Sequence, residues 1–489
     1  MKSLQLLLLI ISSCLTLSAV AREDEPQWIE KKIVISGNVV NFSNHQNNRT
    51  IQIIFRDFFE VQKTYTATIN QDGTFKFSFL LPNAQEFFLE YGSLTTLYCS
   101  PGDSLSLEID ADIWSDPSNT KPHGEFYVKV NGGTAAELNK NILKFLNVLP
   151  TLGYFGDNDQ NAIKTKSPKE YREYISSREA VYRGQLKKFN KVSKTDKTFR
   201  TWVDKRLKFE SWNDLMRFAW YNPHLNGIKR DSLKLPDDYY SFLENYDMSD
   251  RDIKTINHVD FLHELIRYSF ERNIDLTVPF IECIKRYTSG FTQELALTYM
   301  FVNSLKAQHL NLVEDEYKQE TITDPYLRKL INSKVEALKV SLANQNTKGA
   351  NLLDVKSSIT TELLQTISTK YKGKVIFIDF WGPWCAPCMQ EMPSSKEVQH
   401  YFEGKGVVFL FLANRTKDDS WRATIANNGL TGEHLNLTND QFNILSSQFD
   451  ISGVPHYTLI DKKGDIVLKK APRPSDKKTL IREIEKLLK

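Results

Sequence analysis

The sequence predicts a multidomain protein: an N-terminal all-β sandwich, a middle all-α region and a C-terminal domain of alternating α and β. Three observations predict it. The chain has 489 residues, more than one hydrophobic core serves, so two to four domains are expected. Its texture changes twice, from short aromatic and β-branched runs to long helical periodicities, and then to strands alternating with helices. Finally, two of only five cysteines fall in "WGPWCAPCMQEMP", residues 381–393, between a strand-like and a helix-like run.

Residues 1–21 are expected to lie outside the fold. Lys2 supplies a positive start, "LQLLLLIISSCLTL" is apolar, and Ala19-Val20-Ala21 is a small-x-small cleavage site. This reads as a secretory signal peptide, with mature protein from about Arg22. A competing reading takes Ile11-Ser12-Ser13-Cys14 as a bacterial lipoprotein box, which would leave Cys14 as a lipid anchor. Simple cleavage is preferred because the apolar run continues past Cys14. No later run reaches about 18 apolar residues, so no further membrane helix is expected.

Export sets the redox context. Oxidising compartments allow disulfides, yet the mature chain keeps only Cys99, Cys283, Cys385 and Cys388, too few for a disulfide scaffold. Cys99 and Cys283 read as buried thiols. The 63 basic and 60 acidic residues leave a charge of +3 with no basic block, which excludes nucleic acid as a partner.

The β-sandwich domain is expected over 22–115. "KKIVISGNVV", "RTIQIIFRDF", "TYTATI", "GTFKFSFLL", "AQEFFLEYG" and "SLSLEID" are its strand runs, with "QDG" and "SPGD" as turns. The helical domain follows over 116–342. In "TWVDKRLKFESWNDLMRFAW", Trp202, Phe209, Trp212, Leu215, Met216, Ala219 and Trp220 recur near helical spacing, a core stripe. Segments starting at Tyr171, Val259, Thr292 and Pro325 read similarly. "ANQNTKGAN", 343–351, is polar and reads as a linker. The domain over 352–489 then opens on the buried strand "KVIFIDFW" and a helix from Cys385 to about Phe402. Strand "VVFLFLA", helices around "DSWRATIANN" and "DQFNILSSQF", the hairpin "HYTLID"–"IVLKK" and a closing helix capped by Ser475 complete it. That order implies a three-layer α/β sandwich.

A strand, a tight loop and a helix would put Cys385 at a helix N-terminus. Unpaired amides and the helix dipole there favour negative charge, so a thiolate is stabilised and its pKa falls below the free value of about 8.5. Cys388, one turn on, is within bonding reach and can resolve a mixed disulfide. Pro387 stiffens the turn and Trp384 shields the sulfur. A zinc site needs a second ligand pair; none exists among the mature cysteines, and His258 and His263 stand five apart. No metal is expected.

"DFWGPWCAPC" resembles the thioredoxin active-site segment, and "WCAPCMQEMP" is similar to the exported TlpA/ResA-like thioredoxins. The resemblance covers about residues 350–489. It implies a thioredoxin fold with a redox-active Cys385–Cys388 disulfide. Asp379 matches the buried acid that handles the resolving cysteine's proton, and an acid inside an apolar strand needs such a job or a partner. Glu391 matches the acid of the ResA-like "C-x-x-E-x-P" pattern, although a solvated helix residue reads equally well. Pro393 matches the helix-kinking proline. Gly453-Val454-Pro455 matches the loop whose cis-proline faces the cysteines, where Val454 would offer its backbone to an extended substrate. Pro455 lies 70 residues after Cys385, leaving room for the extra helix and strand of the TlpA-like group. Ala-Pro between the cysteines departs from the usual dipeptides, and His456 stands where threonine is usual. "DGTFKF" and "PGDSLSLEID" are similar to domains preceding TlpA-like thioredoxins in exported bacterial proteins.

The resemblance implies an exported thiol–disulfide oxidoreductase of the bacterial periplasm, acting on protein substrates in the reducing direction without a cofactor. A membrane thiol–disulfide transporter would re-reduce it, and cytochrome c maturation is one output. Two other readings stay open. The β and helical regions could capture a partner, with the thioredoxin domain as accessory. A thiol peroxidase is the other, but that chemistry favours threonine three residues before the cysteine, where Gly382 stands.

Overall fold

A computed structural model describes residues 28–45, 49–59, 62–115, 128–149, 157–229, 232–253, 255–271, 280–317, 322–353 and 363–489. The expected signal peptide and Cys14 lie outside the described residues. The chain divides into two compact units, Met1–Leu297 and Thr298–Lys489.

In the first unit, β1 (Lys31–Val40), β2 (Thr50–Phe55), β3 (Lys63–Thr68), β4 (Thr74–Leu81), β5 (Gln85–Tyr91), β6 (Ser93–Cys99), β7 (Ser104–Asp110) and β8 (Val128–Gly132) form two four-stranded sheets. Their orders are β4-β1-β7-β8 and β3-β2-β5-β6. Alternation drives the pairing: "TFKFSFLL" of β4 buries Phe75, Phe77, Phe79 and Leu81 and exposes the residues between. These rings join Ile33, Ile35, Ile51, Ile53, Phe87 and Leu89 in one core drawn from both sheets. The sheet runs past the expected edge at 115, because β8 pairs with β7 after the short helix α1 (Ala111–Ser115).

Helix α2 (Ala136–Val148) places buried Asn139 against the outer strand β6. Its side chain accepts from Tyr98 N and donates to Tyr98 O, both at 2.8 Å. The helices α3 (Asp157–Thr165), α4 (Pro168–Val192), α5 (Lys197–Asn226), α6 (Ile256–Glu271), α7 (Phe280–Tyr287) and α8 (Gly290–Lys306) follow. Helix α4 opens on a capping box between Ser167 and Glu170. Trp202, Phe209 and Met216 of α5 are buried as its periodicity predicts, whereas Trp212, Leu215, Ala219 and Trp220 are half-buried. Glu86 of β5 is a buried charge with a full set of donors: Trp202 Nε1 at 2.6 Å, Arg206 Nη1 at 2.7 Å and Ile256 N at 2.9 Å. Cys99 and Cys283 are buried and not disulfide-bonded.

The second unit opens within α8. It contains α9 (Leu310–Glu316), α10 (Pro325–Ala343), β9 (Ala350–Leu352), α11 (Leu363–Lys370), β10 (Val375–Trp381), α12 (Ala386–Tyr401) and β11 (Val407–Ala413). It continues with α13 (Asp418–Asn428), β12 (Gly432–Asn436), α14 (Asn439–Phe449), β13 (His456–Ile460), β14 (Ile466–Leu468) and α15 (Lys477–Leu488). The six strands order as β14-β13-β10-β11-β12-β9, with β10, β11, β12 and β9 parallel and β13 antiparallel to both its neighbours, β10 and β14. All of β10 is buried, which is why "VIFIDFW" carries no polar alternation. Residues of α12, α13 and α15 pack on one face of the sheet, those of α11 and α14 on the other.

Two expectations need correction. The sequence pattern assigns α9 and α10 to the helical domain ending at 342, but both belong to the unit of the six-stranded sheet. Asn427 of α13 donates to Ser341 Oγ at 2.8 Å and accepts from Asn344 at 2.7 Å. Asn344 thus makes a tertiary bond inside the polar segment that reads as a linker. Ser475 does not cap the closing helix; Asp476 does, accepting from Thr479 N.

Candidate active site

Strand β10 delivers the chain to Gly382, and α12 carries it away. Between them the Trp384 indole leaves no room for a side chain at 382: a Cβ there would sit 2.5 Å from Trp384 Nε1. A threonine, as the peroxidase reading prefers, would collide with that indole. The indole is fixed, because its N–H donates to Asn414 O at 3.0 Å.

Cys385 is the N-cap of α12, with Pro387 in the first turn where a missing N–H costs nothing. Its Sγ accepts from Cys388 N at 3.1 Å, so an orphan helix amide already points at the sulfur. Cys385 and Cys388 are disulfide-bonded, with Cα atoms 5.2 Å apart. Cys385 is 4% exposed and Cys388 1%, so the residue expected to attack is the more accessible one. Pro393 lies inside α12.

Alternation along β10 puts Asp379 on the face of Phe377 and Trp381, which pack in the same core as both cysteines. Asp379 is 2% exposed, and its Oδ1 has no hydrogen-bond partner. Burial, reinforced by the negative charge of Glu391, holds its carboxyl well above the usual carboxylate range. Tyr457 is the residue opposite Asp379 on β13. Its hydroxyl is also buried without a partner.

Glu391 is 7% exposed, which removes the solvated-helix reading. Ser475 donates to it twice, from N at 2.8 Å and from Oγ at 2.9 Å, and Arg473 Nη1 lies 3.7 Å away. Neither partner was legible in the sequence. The acid-binding pair, Arg473 and Ser475, lies 82 and 84 residues downstream of Glu391, in "APRPSD", and only the fold brings it there.

The Val454–Pro455 peptide is cis. Val454 is half-buried and touches the cores on both faces of the sheet. His456 alternates onto the opposite face from the cysteines, its ring edge-on to Phe380. That placement favours a structural role for it over a redox one. Of the sequence-predicted site residues, the fold gathers Asp379, Trp384, Cys385, Cys388 and Glu391 around the N-terminal half of α12.

Residues 373–466 match a family model described as thioredoxin-like. The thiol-disulfide oxidoreductase ResA of Bacillus thuringiensis (strain Al Hakam) is 31% identical over 96 residues, covering 20% of this chain and 54% of that protein. ResA of Geobacillus kaustophilus (strain HTA426) is 30% identical over 96 residues, covering 20% and 53%. The chain thus spans about half the length of the curated relatives it matches. The crystal structure of the thioredoxin domain of a thiol-disulfide oxidoreductase from Bacteroides vulgatus aligns at 26% identity and a TM-score of 0.23, covering 25% of this chain and 84% of that one. The C-terminal domain of this chain is thus similar to thioredoxin-like proteins, and among them to the ResA thiol-disulfide oxidoreductases.

Proposed function

We propose that the protein is an exported thiol–disulfide oxidoreductase that reduces disulfides in other proteins. The observation that carries this reading is the Cys385 sulfur at the N-terminus of α12, accepting the Cys388 amide hydrogen. The same contact stabilises a thiolate once the pair is reduced. That thiolate attacks a substrate disulfide: the substrate S–S bond breaks, a mixed disulfide forms, and one substrate thiolate leaves and takes a proton. Asp379 takes the proton of Cys388, helped by Glu391. Cys388 then attacks Cys385 Sγ, closing the protein disulfide and releasing the second substrate thiolate. Two electrons pass from the cysteine pair to the substrate, so no bound cofactor is required.

Val454, before Pro455, offers backbone groups to an extended substrate, and Trp384 shields the sulfur. In this reading residues 1–21 direct export to the bacterial periplasm, with a lipid anchor at Cys14 as the alternative. A membrane thiol–disulfide transporter returns the electrons, and cytochrome c maturation is a candidate output. The sheets and helices of the first unit, up to Leu297, would serve substrate or partner selection.

Equilibrating the Cys385–Cys388 couple with glutathione tests the direction. A potential near or below about −250 mV supports a reductant, and one near about −120 mV overturns that direction. Cys385→Ser should abolish disulfide reduction, whereas Cys388→Ser should trap the mixed disulfide. Activity surviving in Cys385→Ser would end the reading.

A further inference from the structure

Against Trp384, the residue before Cys385, lies a cavity of about 410 Å³ that the reaction described above does not use. One wall is Trp384, next to Cys385 and pinned through its indole N–H. The opposite wall is the turn after α8, Gln308 and His309, which lies outside the segment that matches the thioredoxin-like family. That turn is built, not draped. Gln308 Nε2 donates to Thr424 Oγ1 of α13 at 2.8 Å, and His309 N donates to Ser304 O at 2.8 Å.

The remaining walls give the cavity its chemistry. Leu437 supplies apolar surface, while Arg415 and Lys417 are exposed cations on the loop that leaves β11. Among the described residues neither cation is paired with a carboxylate. Of the adjacent acids, Asp418 accepts from Arg422 Nε at 2.7 Å, which leaves Asp419, whose Oδ1 accepts from Ser420 N at 2.8 Å, as the one nearby acid set against the two cations. Gln308 Oε1 is buried behind that wall without a hydrogen-bond partner.

We propose that this cavity is a subsite for an acidic stretch of the substrate polypeptide, flanking the disulfide that Cys385 attacks. The inference rests on the oxidoreductase reading and adds its substrate class. Charge complementarity selects the occupant: two unpaired cations favour carboxylates and disfavour a basic segment. Trp384 links the two sites, since it lines the cavity and directly precedes Cys385 in the chain.

The test is a single-turnover reaction of the fully reduced full-length protein with disulfide-bonded peptides that differ only in flanking glutamates, serines or lysines. Hydroxyethyl disulfide serves as a small neutral reference. The glutamate peptide should react about tenfold faster than the lysine peptide at low salt, a difference that high salt erases. The double variant Arg415→Glu with Lys417→Glu should reverse that order. Equal rates for the three peptides with the wild-type protein, or an order unchanged in the charge-reversed variant, overturn the subsite. If the wild-type protein fails to reduce even hydroxyethyl disulfide, the oxidoreductase reading itself fails, which is a separate outcome.

Discussion

Asp379 is a carboxyl group in a strand that is otherwise wholly apolar, and it carries a cost that pH should reveal. Its folded pKa is raised above the unfolded value, so the folded state holds the proton more tightly. The penalty is therefore absent below about pH 4 and grows as pH rises toward the folded pKa. Asp379→Asn should be more stable than wild type at neutral pH and no more stable at pH 3, as read by thermal melts at both values. The same variant should slow disulfide reduction by about a hundredfold if, as proposed, Asp379 is the acceptor of the Cys388 proton. A variant that gains stability without losing rate would make the buried acid a packing feature only. The sequence made Asp379 conspicuous, since a lone acid among "VIFI" and "FW" has few innocent explanations. Glu391 was ambiguous because its surroundings in α12 are polar on one side, and its burial depends on a contact with Ser475, distant in sequence.

Elements whose character is set by their own residues were legible; those set by their neighbours were not. Strands β10 and β11 are continuous apolar runs buried by the layers around them. Strand β12, "GEHLN", has little strand propensity and exists through its parallel pairing with β11 and β9. Helix α15 shows the same limit: "SDKK" contains two capping residues, and Asp476 takes the role while Ser475 turns to Glu391. Ser475→Ala should therefore leave α15 intact by circular dichroism. It should still lower the stability of the fold by about 1–3 kcal/mol, because it removes a donor from a buried carboxylate. A loss of helix instead would restore Ser475 as the cap.

At the scale of the whole molecule, the compact unit of the active site begins at 298 rather than at the polar stretch after α10. "ANQNTKGAN" looks like a linker because composition cannot report a side chain's tertiary partners. Gln345 in it donates to Asp419 O, and Asn344 to Asn427 Oδ1. Helix α10 also buries Leu327, Ile331 and Leu338. A chain starting at 298 should accordingly unfold at higher urea concentration than one starting at 352, by an amount worth about 2–4 kcal/mol. Equal midpoints would return α10 to a separate helical domain.

The amide of Asn139 has a consequence of its own. By satisfying both main-chain groups of Tyr98, it occupies a place on the margin of the second sheet where an incoming strand would have to dock. One side chain thus acts as a stopper against end-to-end polymerisation, a hazard for any β-rich protein that must stay dispersed among its own copies.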